Sequence, residues 1–119
     1  MKRITTLSTV YLIKNADSVE QVTTDKNILF NKLWIYPGKG IAKSGDASGL
    51  APGKIIPNTE DVYVGERCNG SLEMTPDLLV LDSSPILIEL PQGESKFLRE
   101  VLVQSSNAGN GVVLKFWPV

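Results

Sequence analysis

The sequence contains no histidine and only one cysteine, Cys68, among its 119 residues. Histidine is the side chain that most readily changes protonation near neutral pH, and it is the commonest metal ligand. Its absence therefore excludes most acid–base catalysts and metal sites. A single thiol forms no intramolecular disulfide and offers too few ligands for structural zinc. We expect no catalytic residue, no metal, no cofactor and no enzymatic activity, and we expect stability to come from packing or oligomerisation.

Long hydrophobic runs are also missing. A membrane helix needs about 18 or more consecutive apolar residues, and no stretch approaches this length. Residues 1–13 include Lys2 and Arg3, as a signal peptide does, but hydroxyl side chains dilute the apolar part and Lys14 follows it. A β-strand rich in Thr, Val and Ile explains these residues better. We expect a protein made inside the cell and without a membrane partner.

Acidic and basic residues are nearly balanced, with a formal net charge of −1. Residues 1–60 carry eight basic and five acidic side chains, whereas residues 61–119 carry four and eight. Because the basic residues form no cluster, the excess in the first half does not predict nucleic-acid binding. The uneven charge fits solvated strand faces, or complementary contacts between neighbouring subunits.

Apolar residues recur with a period of two, which is typical of β-strands. This alternation covers residues 86–90, 101–104 and 112–117. Residues 29–36 are apolar on both faces, which predicts a strand that is covered on each side or by a partner. One face carries Leu29, Leu33 and Ile35. The other carries Phe30, Trp34 and Tyr36.

Short turn signals separate the alternating segments. They are Asn15-Ala16-Asp17, Asp25-Lys26-Asn27, Asn69-Gly70, Ser83-Ser84-Pro85, Pro91-Gln92-Gly93 and the residues from Asn107 to Gly111. Together they predict five to eight strands in one domain, a small antiparallel β-sandwich or jelly-roll-like barrel over residues 1–119. Residues 1–14 are an arm or an edge strand in this interpretation, and residues 94–100 form at most one helical turn before a strand that starts at Leu98.

Residues 37–60 are the exception to this pattern. They hold five of the ten glycines and three of the seven prolines, and they show no sustained periodicity. Loops longer than about 12–15 residues are uncommon in compact domains and usually functional or disordered. We expect a long interaction loop here, with Lys39, Lys43 and Lys54 as candidate contact residues.

Other motifs point to no chemistry. The Gly-rich segments near Lys39 and Lys54 lack the glycine spacing and hydroxyl of a phosphate loop. Ser44 beside Lys43 lacks the fixed geometry that nucleophilic catalysis needs. The acidic residues of the second half fit outward strand positions and turns better than a two-carboxylate hydrolase. The triplet Asn69-Gly70-Ser71 matches a glycosylation site but is interpreted as a hairpin turn.

The order in which strands and turns follow one another along the sequence gives a further pattern over about residues 58–117. Val62-Tyr63-Val64-Gly65 is followed by the proline- and glycine-bounded residues 85–93, then by residues 98–106, Ala108-Gly109 and a final hydrophobic strand. In this arrangement the sequence resembles small β-sandwich virion proteins of tailed bacteriophages. The resemblance implies a structural, non-enzymatic virion protein, either a capsid cement or decoration protein or a related head or tail accessory protein.

Trp34, Tyr36 and Trp117 suit either core packing, a protein interface or a sugar-stacking platform, because their rings are large and amphipathic. Under the resemblance, the expected partners are the major capsid protein or other virion proteins, and the chain forms a dimer or trimer. It would be assembled in the host cytoplasm and located in the virion. The alternative is a small carbohydrate-binding or receptor-binding module of a tail or fibre.

Overall fold

The computed structural model describes residues 6–43, 49–68, 71–74, 79–81 and 84–119. These residues contain ten β-strands and one short 3₁₀ turn, Leu98–Glu100. The strands are β1 (Leu7–Leu12), β2 (Glu20–Gln21), β3 (Leu29–Pro37), β4 (Val62–Cys68), β5 (Ser71–Met74), β6 (Leu79–Leu81), β7 (Ile86–Glu89), β8 (Lys96–Phe97), β9 (Val101–Ser105) and β10 (Gly111–Pro118). The described part of the chain has no helix that is long and apolar enough to cross a membrane.

The strands form two five-stranded sheets in which every pairing is antiparallel. Sheet A has the order β1-β10-β3-β7, and β8 also pairs with β3. Sheet B has the order β2-β9-β4-β5, and β6 also pairs with β4. Residues from both sheets share one hydrophobic core. The predicted all-β antiparallel sandwich is therefore confirmed.

Alternation along the strands decides which side chains fill the core. Val112, Leu114 and Phe116 of β10 are buried, and Ile86 and Ile88 of β7 pack against the same cluster. The intervening side chains of β7 are exposed. Sheet B faces the same core with Val62, Val64, Val101 and Val103. The inward residues of these strands are the ones that the period of two predicts.

A β-bulge reverses the two faces near the start of β3. Lys32 lies opposite Trp117 of β10. The next opposed pair is Phe30 and Pro118, so Asn31 is an extra residue without a partner of its own. One extra residue moves the alternation by one position. Phe30 is therefore fully buried in the core, and the prediction that groups it with the two outward aromatic residues of this strand is wrong.

The number of strands exceeds the predicted five to eight because some strands are very short. β2, β6 and β8 contain only two or three residues each, too few to show alternation in a sequence. The single turn predicted in residues 94–100 is confirmed as the 3₁₀ turn, but the strand after it begins at Val101 rather than at Leu98. The predicted turn at Asn69-Gly70 lies outside the described residues.

A buried amide ties several segments together where the chain crosses from β9 of sheet B to β10 of sheet A. Asn110, 1% exposed, donates from Nδ2 to Ser105 Oγ at 3.1 Å, and its Oδ1 accepts the Thr59 N–H at 3.0 Å. Its main-chain oxygen accepts the Ile13 N–H at 2.8 Å. Ser105 Oγ donates to Asp61 O at 3.1 Å. These bonds avoid the cost of about 1–3 kcal/mol for an unpaired buried polar group.

Gly111, the next residue, forms hydrogen bonds with both ends of the long segment 37–60. It donates its N–H to Asn58 Oδ1 at 2.9 Å and accepts from Asn58 Nδ2 at 2.9 Å. Its oxygen also accepts the Gly38 N–H at 3.1 Å. A Cβ at this position would overlap the main-chain oxygen of Tyr11. Glycine is therefore required here, because the neighbouring strand approaches too closely for a side chain.

Glu20 of β2 fastens the edge strand β1 to sheet B. Its carboxylate accepts the Tyr11 hydroxyl at 2.5 Å and the N–H groups of Lys14 and Asn15, each at 2.9 Å. Burial acts to raise the pKa of Glu20, but the three hydrogen bonds and the Lys14 charge hold that pKa below its usual value. Burial, with the bond to Glu20, raises the pKa of Tyr11.

We predict that Glu20→Gln lowers the free energy of unfolding at pH 7 by about 1–2 kcal/mol, because charged acceptors make the stronger hydrogen bonds. A carboxylate whose pKa is lowered by folding stabilises the protein above its unfolded pKa, about 4.3, and this stabilisation is lost as the pH falls through the folded pKa. Urea unfolding across pH 3–7 should therefore show the two proteins converging below about pH 4. Glu94→Gln, in an exposed turn, is the control; a difference that does not change with pH would contradict the prediction.

Candidate binding face

The side of sheet A that faces away from the core carries a compact array of large side chains, which we call the outer face. The strand register sets these side chains in rows across the sheet. The first row contains Val10, Val113 and Tyr36, the second contains Lys115, Trp34 and Leu87, and the third contains Trp117, Lys32 and Glu89. Leu12 lies at the edge of the sheet, beside the first row. On β3, β7 and β10 these side chains alternate with residues that fill or pack against the core, so the fold that forms the core also presents this face.

Trp34 and Tyr36 form the centre of the outer face. Their ring centroids lie 6.1 Å apart with an angle of 28° between the planes, which is a stacked arrangement. Aromatic pairs in such offset geometry contribute about 0.5–1.5 kcal/mol beyond the area that they bury. The stacking fixes both rings as one broad apolar surface on the solvent side of β3.

Trp117 extends the aromatic surface along β10 and is flanked by cations. Lys32 Nζ lies 4.8 Å from the centroid of its ring, and Lys115 Nζ lies 5.6 Å from it. Both distances fall within the range of cation–π attraction. Lys32 also forms an ion pair with Glu89 at 3.6 Å. This end of the outer face is thus aromatic and mainly positive.

Aliphatic side chains complete the outer face. Val10, Leu12 and Leu87 are 39%, 48% and 41% exposed, although all three are large and apolar. Val113 lies between Val10 and Tyr36 in the register and is only 5% exposed. A continuous exposed apolar patch marks an interaction site more often than scattered single apolar residues do.

A cleft opens at the Trp117 end of the outer face. It has a volume of about 360 Å³ and is lined by Asn31, Lys32, Glu89, Leu90, Gln92 and Trp117. The bulge at Asn31 helps to form it, because the extra residue turns that side chain to the exposed side. The lining offers one aromatic ring together with amide, carboxylate and ammonium groups, which can donate and accept hydrogen bonds.

Residues 37–60 are not an unstructured loop in their described part. Lys39 donates its N–H to Ile56 O at 2.9 Å, and Ala42 donates to Lys54 O at 2.7 Å. An isolated antiparallel β-bridge lies between these bonds. The two arms of the segment therefore pair like a hairpin, an arrangement that the absence of periodicity did not predict.

The structure separates the three lysines of this segment from Trp117. Lys43 and Lys54 are exposed and Lys39 is half-buried. Within the described residues, none of the three forms an ion pair or a cation–π contact. The segment meets β10 at Gly111, six residues before Trp117, which is about 20 Å along an extended strand. Ser44 lies outside the described residues.

A second cleft, on sheet B, has a volume of about 310 Å³ and is lined mainly by polar residues, among them Asp17, Glu60, Asp61 and Tyr63. Asp17 has a positive φ of 60° and is held in a turn by Gln104, whose Nε2 donates to Asp17 O at 2.9 Å. Among the described residues, no group of three or more His, Cys, Asp or Glu side chains is arranged to hold a metal ion.

Trp34, Tyr36 and Trp117, which the sequence singles out, thus lie on one face, whereas Lys39, Lys43 and Lys54 lie on a separate segment. Sequence reasoning missed Lys32 and Lys115. The alternation of β3 and β10 could have found both, because they stand two positions from Trp34 and Trp117. The distances that place them over the ring depend on the pairing of two strands that are remote in sequence.

Comparison with protein-family models, with curated proteins and with solved structures finds no match to this chain.

We predict that the outer face contributes much less to folding than the inward residues of the same strand do. Leu33→Ala should lower the free energy of unfolding by about 2–5 kcal/mol, because Leu33 is fully buried and its loss leaves a cavity. Trp34→Ala should cost less, about 1–2 kcal/mol, because this half-buried residue loses its stacking and only part of a full burial contribution. Urea denaturation followed by circular dichroism measures both. An equal loss for the two variants would show that Trp34 belongs to the core.

Proposed function

We propose that this chain is a structural virion protein, a cement or decoration protein that binds and stabilises the capsid of a tailed bacteriophage. The observation that carries the proposal is the outer face. It carries three half-buried aromatic rings and several exposed aliphatic side chains, although the core between the sheets is filled by other residues. Apolar surface beyond the needs of the core suits attachment to another protein.

The chemistry of the outer face suggests what its partner presents. Trp34, Tyr36 and Trp117 are of the residue types that most often act as anchors in protein interfaces. Lys32 and Lys115 add positive charge beside them. The partner surface, on the major capsid protein or another virion protein, should therefore combine apolar pockets with acidic groups. The resemblance of residues 58–117 to small β-sandwich virion proteins supports the same assignment.

Repetition would strengthen attachment of this kind. A capsid offers many equivalent sites, and an oligomer that contacts several of them gains affinity without any new contact, provided that the geometry allows simultaneous binding. Lys43 and Lys54 are exposed and could make secondary contacts. In this proposal the protein acts without catalysis, in the assembled virion.

Mass spectrometry of purified virions tests the proposal. We expect the chain at high copy number, and its absence from particles would overturn the assignment. Particles that lack the chain should bind the added wild-type protein, whereas W34A and W117A should lower occupancy at least ~10-fold, the typical effect of removing an interface anchor. Y63A is the matched control, because Tyr63 lies on the outward side of sheet B next to the buried Val62 and Val64.

The cleft beside Trp117 favours a second candidate function, carbohydrate binding by a tail or fibre module. Its volume of about 360 Å³ is within the usual range for small-ligand sites, and it combines an indole ring with amide and charged groups. A sugar could stack on the ring through its C–H face and bond to the polar groups through its hydroxyls.

Glycan binding distinguishes the two candidates. A carbohydrate module should bind a host glycan on an array, and N31A, Q92A and W117A should each weaken binding about 10-fold or more, as expected for lost hydrogen bonds or stacking. Y63A again serves as the control. Binding to particles without binding to any glycan would exclude this second candidate, and the reverse result would exclude the first.

A further inference from the structure

The edge strand β1 is uncharged along its whole length, and all its residues except the half-buried Tyr11 are exposed. Residues Leu7–Leu12 contain no charged side chain and no proline, and their register with β10 has no bulge. Leu7 is 50% exposed, and Val10 and Leu12 are also among the exposed large apolar residues. Proteins normally protect edge strands with charges, prolines or bulges, because an open edge pairs readily with another strand. β1 has none of these protections.

The main chain of β1 presents bonding groups along its outer edge. Ile13 donates its N–H towards β10 at Asn110 O, and the main-chain oxygen of Tyr11 lies against Gly111 of β10. The main-chain groups of the odd-numbered residues therefore point towards β10. In an antiparallel ladder the intervening residues point the other way. Ser8, Val10 and Leu12 thus direct their N–H and C=O groups away from sheet A, where the described residues place no partner strand.

We propose that two copies of this chain pair through β1, antiparallel and related by a two-fold axis, with Val10 opposite Val10 of the second copy. This register sets Ser8 of each copy opposite Leu12 of the other. It uses all the outward-pointing groups of the strand and forms about six main-chain hydrogen bonds. The symmetric register centred on Thr9 would pair fewer of these groups within β1. The two copies of sheet A then form one continuous sheet.

A second copy fits this edge better than an unrelated strand because of charge and symmetry. β1 is neutral, so a charged partner strand would lose hydration at the contact without finding an opposite charge. Another β1 meets this requirement. In a two-fold contact, each strand supplies the same surface that it receives.

The side chains of β1 support the same register. Val10 and Leu12 of one copy lie next to Val10 and Ser8 of the other on the outer face, so the two Val10 side chains, each 39% exposed, cover one another. The contact also joins the two outer faces side by side. The inference concerns the assembly of the chain itself and does not rest on the proposed function.

Sedimentation velocity tests the inference on the full chain. The wild type should sediment as a species with twice its monomer mass of 13.0 kDa. V10K should raise the dimer dissociation constant at least ~100-fold, because it sets like charges opposite each other at the two-fold axis. V10T, which keeps the β-branched shape, should remain dimeric. Circular dichroism checks that all three proteins keep the same strand content.

Cysteine cross-linking tests the register independently of stability. Under mild oxidation V10C should form an intermolecular disulfide, because directly opposed strand residues lie about 5.5 Å apart between Cα atoms, within disulfide range. L7C should not link to itself, since its two copies lie far apart in this register. The wild type, with Cys68 alone, controls for the native thiol. A monomeric or trimeric wild type, a dimeric V10K, or cross-linking of L7C without V10C would each overturn the proposal.

Discussion

The junction at Asn110 and Gly111 is the constraint on which the rest of the structure depends. At this point the chain leaves sheet B for sheet A, and the residue after β1, the last residue of β9 and the long segment 37–60 all bond to two consecutive residues. A buried amide can serve this role only with all its partners in place, because an unpaired polar group in the interior is costly. The junction thereby sets where β10 begins, and the register of β10 positions both the core and the outer face.

Local patterns were sufficient to predict most of the strand architecture. The alternation in β7 and β10 identifies their buried faces correctly, because each side of a strand meets one environment over its whole length. The bulge at Asn31 could not be predicted in this way. It is defined by the step from Trp117 to Pro118 on a strand more than 80 residues away, and it moves Phe30 into the core.

The candidate site was predictable in its aromatic members and not in its arrangement. Trp34 and Tyr36 share one face of a strand that is apolar on both sides, and from the sequence they suit core packing, an interface or a sugar platform. Their relation to Trp117, and the placement of Lys32 over that ring, follow from strand pairing between remote segments. The pairing within residues 37–60 escaped prediction for a similar reason. Its bonds join residues more than ten positions apart, and a glycine-rich sequence carries no alternation to reveal them.

The interleaving of core and outer face on β3 and β10 has an evolutionary consequence. Leu33 and Ile35 fill the interior, while Trp34 and Tyr36, their immediate neighbours, lie half-buried on the outer face. Substitutions at alternate positions can therefore alter what the surface recognises while the packed interior stays unchanged. A lineage that must follow a changing partner could diverge quickly at these outward positions and slowly at the inward ones. Related chains would then share their buried residues long after their surfaces had ceased to resemble one another.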